Sequence, residues 1–449
     1  MSNLSFLLFL IFLIVNSLSD NEFFSRKSIR DLEENQFQNI RIFFDYLCLS
    51  SRTDFKIIEQ GILKAKNALQ KLIKVQRLTD KIDFRTYKQH PDLTDFSCTN
   101  DLNYREPIEA DLVIFIRGPG ENEDLPSVFA KPYIIDYVNK DANNRPLFGK
   151  IVYNPSSINI DDQESKIQAI SVIFLHEFTH ILGFTKKILL NQGLIEKKEV
   201  KSRMRNETYE KFFAKGPKAL KIAQEYFNCS NLDGIELDDL YNGESDDDNI
   251  LHWNARILLG DYMISELYYV DQAISEITLA LLDDFEWYEV NYYTGGLMKF
   301  GKNKGCSFLT EDCYVYNDIK NRIETPFQNE FCSNIYQNSY NRFGTCSSGR
   351  QSMAYCSNDY FYGYIYSYKT DYKRDMTPEI EYNFLNSMVN GFSPNNLVEC
   401  CPFSNSDINA DNPEYNYYGS CKYGNGKFGK YLTFLNNNGY PQYYQNISS

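Results

Sequence analysis

The chain has 449 residues, a formal net charge of −14 and an apolar content of 43%. That length holds two or three domains, or one large enzyme with an appendage, and the apolar fraction is enough to fill a core of that size. The acidic balance, with no basic stripe to neutralise phosphates, argues against a nucleic-acid binder.

Residues 4–15 form an almost unbroken apolar run, followed by Asn16-Ser17-Leu18-Ser19-Asp20. The run is short for a bilayer span, and the small residues Ser17 and Ser19 suit a signal-peptidase site. Residues 1–19 are therefore expected to be a signal peptide, with an uncleaved anchor as the alternative. The expected product is secreted or cell-surface associated, with no transmembrane segment after signal removal. The final residues, 443–449, lack the hydrophobic tail of a lipid-anchor signal. Residues 20–37 are polar and charged and read as a short pro-segment. Eleven cysteines fit an oxidising compartment. Eight of them, Cys306, Cys313, Cys332, Cys346, Cys356, Cys400, Cys401 and Cys421, crowd the last third, so residues 301–449 read as a disulfide-stapled, loop-rich domain. Spacing does not reveal their pairing.

A first strand is expected over 40–46. Apolar residues at helical spacing (Ile58, Ile62, Leu69, Leu72) predict an amphipathic helix over 57–75. A buried strand follows over 110–116, stopped by Gly118-Pro119-Gly120, and two more strands are expected over 133–138 and 149–153. An apolar helix over 167–182 comes next. Strands and helices in this order describe an α+β fold.

Within that helix stands His176-Glu177-Phe178-Thr179-His180-Ile181-Leu182-Gly183. Residues four apart are neighbours on a helix surface, so His176 and His180 can present two imidazoles to one point. Glu177, one step round, can touch a water bound there. This is the H-E-x-x-H arrangement in which two histidines bind Zn²⁺ and the glutamate is general base. The bland alternative is a buried helix whose histidines fall four apart by accident. With only four histidines in the chain, that coincidence is rare. Gly183 ends the helix in a left-handed turn. A catalytic zinc needs a third protein ligand. His90 precedes Pro91 in a polar stretch and reads as a loop residue, whereas His252 is flanked by Leu251 and Trp253. His252 is therefore expected as third ligand, with His90 as the alternative. Between them, residues 186–249 read as charged and polar around one helical piece, 215–227, with a solvated acidic loop at 244–248. A further helix is expected over 273–284.

These residues resemble the leishmanolysin and invadolysin branch of the metzincin peptidases. The signature lacks a ligand three residues after Gly183, where that branch carries a long insertion, and the third histidine returns in His252-Trp253. Similar to the family as well are Arg145-Pro146-Leu147-Phe148-Gly149, Pro217-Lys218-Ala219-Leu220, Phe227-Asn228-Cys229, Gly260-Asp261-Tyr262-Met263 and Trp287-Tyr288. The resemblance implies a zinc metalloendopeptidase acting on protein or peptide substrates as a monomer. It implies one catalytic Zn²⁺ on His176, His180 and His252, Glu177 as general base, and Met263 beneath the metal in a Met-turn. On its own chemistry Met263 reads as core packing. The implied map is a catalytic subdomain over 38–183, an insertion over 184–250, a second catalytic subdomain over 251–300 and the cysteine-rich domain over 301–449.

Two positions depart from the family: Glu286 and Ser265 stand where glycines are usual, off the metal shell, and bear on turn geometry. Cys48 follows directly on the first strand, which disfavours it as a latency ligand. Substrate is expected to lie extended along an edge strand, taken as 149–153. Asn206, Asn228 and Asn446 begin N-glycosylation triplets, with Asn228, beside Cys229, expected to be the least accessible. The rival reading is a secreted, cysteine-rich adhesion or binding protein that uses the metzincin fold as a scaffold.

Overall fold

The computed structural model describes residues 37–46, 52–83, 106–118, 130–135, 145–154, 163–201, 208–238, 250–265, 273–294 and 298–311, with short pieces up to 356 and a few single positions. The expected signal peptide, nearly all of the pro-segment, Cys48, His90, Asn206, the acidic loop 244–248 and everything beyond 356 lie outside the described residues. Among the described residues no helix is long and apolar enough to cross a membrane.

Strand β1 (Phe37–Asn39) and strand β2 (Ile42–Asp45) open the fold, followed by helix α1 (Phe55–Leu72) and strand β3 (Ile73–Gln76). The apolar stripe of α1, Ile58, Ile62, Ala65, Leu69 and Leu72, is fully buried. The helix stops before the expected 75 because Ile73-Lys74-Val75-Gln76 switches to a period of two, Ile73 and Val75 buried and the other two half-buried. That segment pairs with β1 instead.

Strand β4 (Leu112–Arg117) is buried along its whole length. A continuous apolar run of this kind suits the middle of a sheet covered on both faces. Strands β5 (Ala130–Ile135) and β6 (Phe148–Tyr153) complete a four-stranded sheet in the order β2-β4-β6-β5. Pairing is parallel except for β5, which runs antiparallel to β6 at the edge. This corrects the expected substrate strand. Residues 149–153 are interior, paired on both sides, and among the described strands the edges are β5 and β2. Pro132 within β5 has no N–H to give a ladder, which confines it to an edge.

Helix α2 (Gln163–Ile181) packs against α1 and the sheet. Two glycines permit that approach. A Cβ on Gly61 would overlap the Ile170 side chain, and one on Gly149 would come within 2.6 Å of Ile181. The helix bearing the two histidines is thereby seated directly on β6.

The segment after Gly183 holds more structure than one helix. Helix α3 (Lys186–Asn191), strands β7 (Ile195–Lys201) and β8 (Thr208–Ala214), helix α4 (Pro217–Phe227) and strand β9 (Ile235–Asp238) are all present. Strand β10 (His252–Trp253) joins them in a sheet ordered β10-β9-β8-β7. The hairpin went unread because its outer strand is mostly charged and is held by ion pairs such as Lys198–Asp233 and Lys215–Glu196. Asn228, expected to be hidden, is exposed and caps α4 in the left-handed region, φ 57°.

Helix α5 (Ala255–Leu258), helix α6 (Glu276–Asp283), strand β11 (Tyr288–Val290) and helix α7 (Cys306–Thr310) follow. Ser275 caps α6 through Thr278 N, which is why the helix starts later than 273. A disulfide joins Cys229 to Cys306, and the buried Arg256 donates to the carbonyls of Phe308 (2.5 Å) and Glu311 (2.6 Å). Phe308, Leu309 and Phe327 lie in the same buried cluster as the helices and sheet before them.

Candidate metal centre

Three segments far apart in sequence meet at one point. Helix α2 supplies His176, Glu177 and His180, β10 supplies His252, and the turn at 260–264 closes one side. All are buried, with His252 the most open at 8% exposure.

The two helix histidines are oriented by backbone carbonyls. His176 Nδ1 lies 2.7 Å from the Tyr262 oxygen, and His180 Nδ1 lies 2.8 Å from the Phe184 oxygen. A carbonyl only accepts, so each Nδ1 carries the proton and each Nε2 keeps a lone pair. Those lone pairs converge: His176 Nε2 is 3.0 Å from His180 Nε2 and 3.2 Å from His252 Nε2. Gly183, at φ 132°, makes the turn that carries the Phe184 carbonyl back to His180. A side chain there would also press on Phe285, 2.9 Å away.

Charge reinforces the geometry. Burial pushes the His176 imidazole down to about 4. Burial and the adjoining imidazoles hold His180 and His252 well below the usual histidine range. All three are neutral at physiological pH, the form that ligates a metal. His176 and His180 thus turn two bare Nε2 atoms toward each other and toward His252 Nε2, an arrangement that a cation at their centre would satisfy. Tetrahedral zinc with bonds of about 2.0–2.1 Å sets ligand nitrogens roughly 3.4 Å apart, close to the spacing seen. Among the described residues these three histidines are the one group whose ligand atoms, all within 4.8 Å of one another, could hold a metal ion.

Glu177 sits beside them, 5% exposed, with Oε2 buried and lacking a hydrogen-bond partner. Burial pushes its carboxyl up to about 8. An orphaned buried carboxylate oxygen costs free energy unless something absent from the bare chain engages it. A water held between this oxygen and a cation on the imidazoles fits that need.

Strand β10 is braced from both sides. Trp253 N donates to Met263 O (3.0 Å), and Asn254 Nδ2 donates to Glu236 Oε1 (2.9 Å), which also pairs with buried Lys211. Met263 is fully buried in the turn beside this strand. Sequence reasoning brought His176, Glu177, His180, Gly183 and His252 to this place. It missed the acceptor roles of Tyr262 and Phe184, which are backbone carbonyls and leave no mark in residue type.

Comparison with known proteins fits the geometry. The leishmanolysin family model matches residues 52–413. The chain is 28% identical over 253 residues to a leishmanolysin-like peptidase of Drosophila melanogaster, covering 48% of this chain and 35% of that protein. It is 24% identical over 285 residues to a leishmanolysin homolog of Crithidia fasciculata, covering 62% of this chain and 37% of the relative. It is 25% identical over 248 residues to leishmanolysin of Leishmania tropica, covering 54% and 33% respectively. The matches thus span about a third of the length of these curated relatives. An α+β chain with three converging imidazoles, matched by one family model over most of its length, belongs to the leishmanolysin family of metallopeptidases.

Proposed function

We propose that the chain is a zinc-dependent endopeptidase of metzincin architecture. His176, His180 and His252 are its ligands and Glu177 its general base. The observation that carries this reading is the convergence of three neutral Nε2 atoms beside the unpartnered Glu177 Oε2. Zinc held there would polarise the scissile carbonyl and make a water more acidic. Glu177 takes the proton of the attacking water and passes it to the leaving amine. Met263 supports the site from the turn below without ligating.

The substrate backbone lies extended along β5, the edge strand that packs against α2. Main-chain hydrogen bonds along such an edge do not depend on side-chain identity, in keeping with protein substrates. Entry through the secretory pathway, a cysteine-rich region beyond 301 and a monomeric state complete the reading. Retention of three imidazoles together with the glutamate disfavours a scaffold that only binds. A casein or gelatin zymogram with and without phenanthroline tests the function. Clearing that the chelator abolishes supports it. Clearing that survives chelation, or no clearing by a folded and metal-loaded chain, refutes it.

A further inference from the structure

The carboxylate of Asp261 is fully buried, and no Lys or Arg among the described residues neutralises it. Burying such a charge is expensive unless the groups around it are arranged to receive it. Three donors do so. Met263 N–H reaches Oδ1 at 2.7 Å, Thr278 Oγ1 donates to Oδ2 at 2.8 Å, and Ser275 N–H reaches Oδ2 at 3.3 Å. Burial pushes this carboxyl up to about 6, still below neutral pH, so the ionised acceptor is present under physiological conditions.

Each strong bond leads to a different imidazole. A hydroxyl has one proton, and Thr278 commits it to Asp261, so its lone pairs face the Trp253 indole. Trp253 Nε1–H donates to Thr278 Oγ1 at 2.7 Å. Trp253 and His252 are consecutive strand residues and point to opposite faces, so fixing the indole on one face fixes the direction of the imidazole on the other. The bond to Met263 N–H holds the turn whose Tyr262 carbonyl accepts His176 Nδ1–H.

We infer that Asp261 is a positioning residue for the metal centre. Through Thr278 and Trp253 it aims His252, and through the 261–263 turn it aims His176. The inference rests on the reading that these imidazoles hold a metal. Groups bonded directly to a ligand typically change metal affinity by about 10- to 100-fold when removed, and Asp261, which acts through such intermediaries, is expected at the lower end of that range.

The test uses the full chain stripped of metal and titrated with Co²⁺. Affinity is read by competition with a chromophoric chelator, and geometry by the visible ligand-field bands. Four variants are compared with wild type. Thr278→Val keeps the branched shape and loses the hydroxyl, whereas Thr278→Ser keeps the hydroxyl and loses the methyl. Asp261→Asn replaces an acceptor oxygen by a donor facing donors. Ile82→Ala opens a hole in a separate small core cluster and controls for stability alone. The expected result is Co²⁺ affinity about tenfold weaker with shifted bands for Thr278→Val, and near wild type for Thr278→Ser. Asp261→Asn is at least as weak as Thr278→Val, and Ile82→Ala melts lower with unchanged affinity and bands. The Thr278 pair carries the test even where Asp261→Asn fails to fold. Wild-type affinity and spectrum in Thr278→Val overturn the inference, as does equal damage in Thr278→Ser or in Ile82→Ala. A wild-type chain that takes up no Co²⁺ overturns the metal reading itself, and this inference with it.

Discussion

Glu286 occupies the left-handed region at φ 60°, one residue before Trp287. A side chain with Cβ costs about 1–2 kcal/mol there, and glycine returns some of that gain as chain entropy when unfolded. Glu286→Gly is therefore expected to raise stability by about 1 kcal/mol in urea unfolding; a loss would show that the Glu286 side chain holds the turn by contacts. Asp261 makes a pH prediction at the same scale. Its carboxyl lies at about 6 in the folded chain, against about 3.9 in an unfolded one. Between those values the folded form binds more protons, so the contribution of this group to stability is fully present below about pH 4 and falls as pH rises through about 6. The unfolding free energy of wild type minus that of Asp261→Asn should decline across this window; a flat difference contradicts it. At this scale the sequence was most legible for side chains with chemistry of their own. His176, Glu177 and His180 announce themselves by spacing, and His252 by its apolar flanks. The carbonyls of Tyr262 and Phe184, and the carboxylate of Asp261, become visible only when the turn at 260–264 is folded.

Among elements, β4 and α2 were legible because each has one unambiguous pattern: an unbroken β-branched and aromatic run in β4, a long apolar helix in α2. The end of α1 and the hairpin β7–β8 were not. Ile73 and Val75 continue a helical stripe as well as they begin a strand, and the choice is made by β1 and β11, which pair with them from far away. The outer strand of the hairpin is mostly charged, with exposed ion pairs such as Lys197–Glu210, and carries little local apolar signal. Edge and interior were likewise indistinguishable from composition, because β6 reads as an ordinary apolar strand until β5 is seen beside it. The edge assignment makes its own prediction. N-methylation of a good peptide substrate at successive positions should weaken binding at alternate positions, those whose N–H groups face β5; uniform tolerance would remove β5 from the substrate site.

The described residues are tied together across the sequence. The segment after Gly183 supplies β9, on which the His252 strand is built, so it is part of the framework that holds the three imidazoles together. The Cys229–Cys306 disulfide closes a separation of 77 residues and, with Arg256, fastens α7 to the end of α4. Composition foretold disulfides but not this one, because pairing depends on which chain ends meet in space. Loop-closure entropy for a separation of that size corresponds to about 4 kcal/mol. Replacing both cysteines by serine should lower the unfolding free energy by that order, measured in denaturant; an unchanged midpoint would show that packing of Phe308 and Phe327 alone secures the junction.

Metal content read together with proteolysis bears most directly on the central claim. Wild type, Glu177→Gln and His252→Ala are purified, equilibrated with Zn²⁺, analysed by emission spectroscopy and assayed on casein. Wild type should hold about one zinc per chain and cleave. Glu177→Gln should hold the same zinc and lose activity by at least about 10²-fold, the usual contribution of a general base. His252→Ala should lose both. Full cleavage by Glu177→Gln, or undiminished zinc in His252→Ala, would contradict the account.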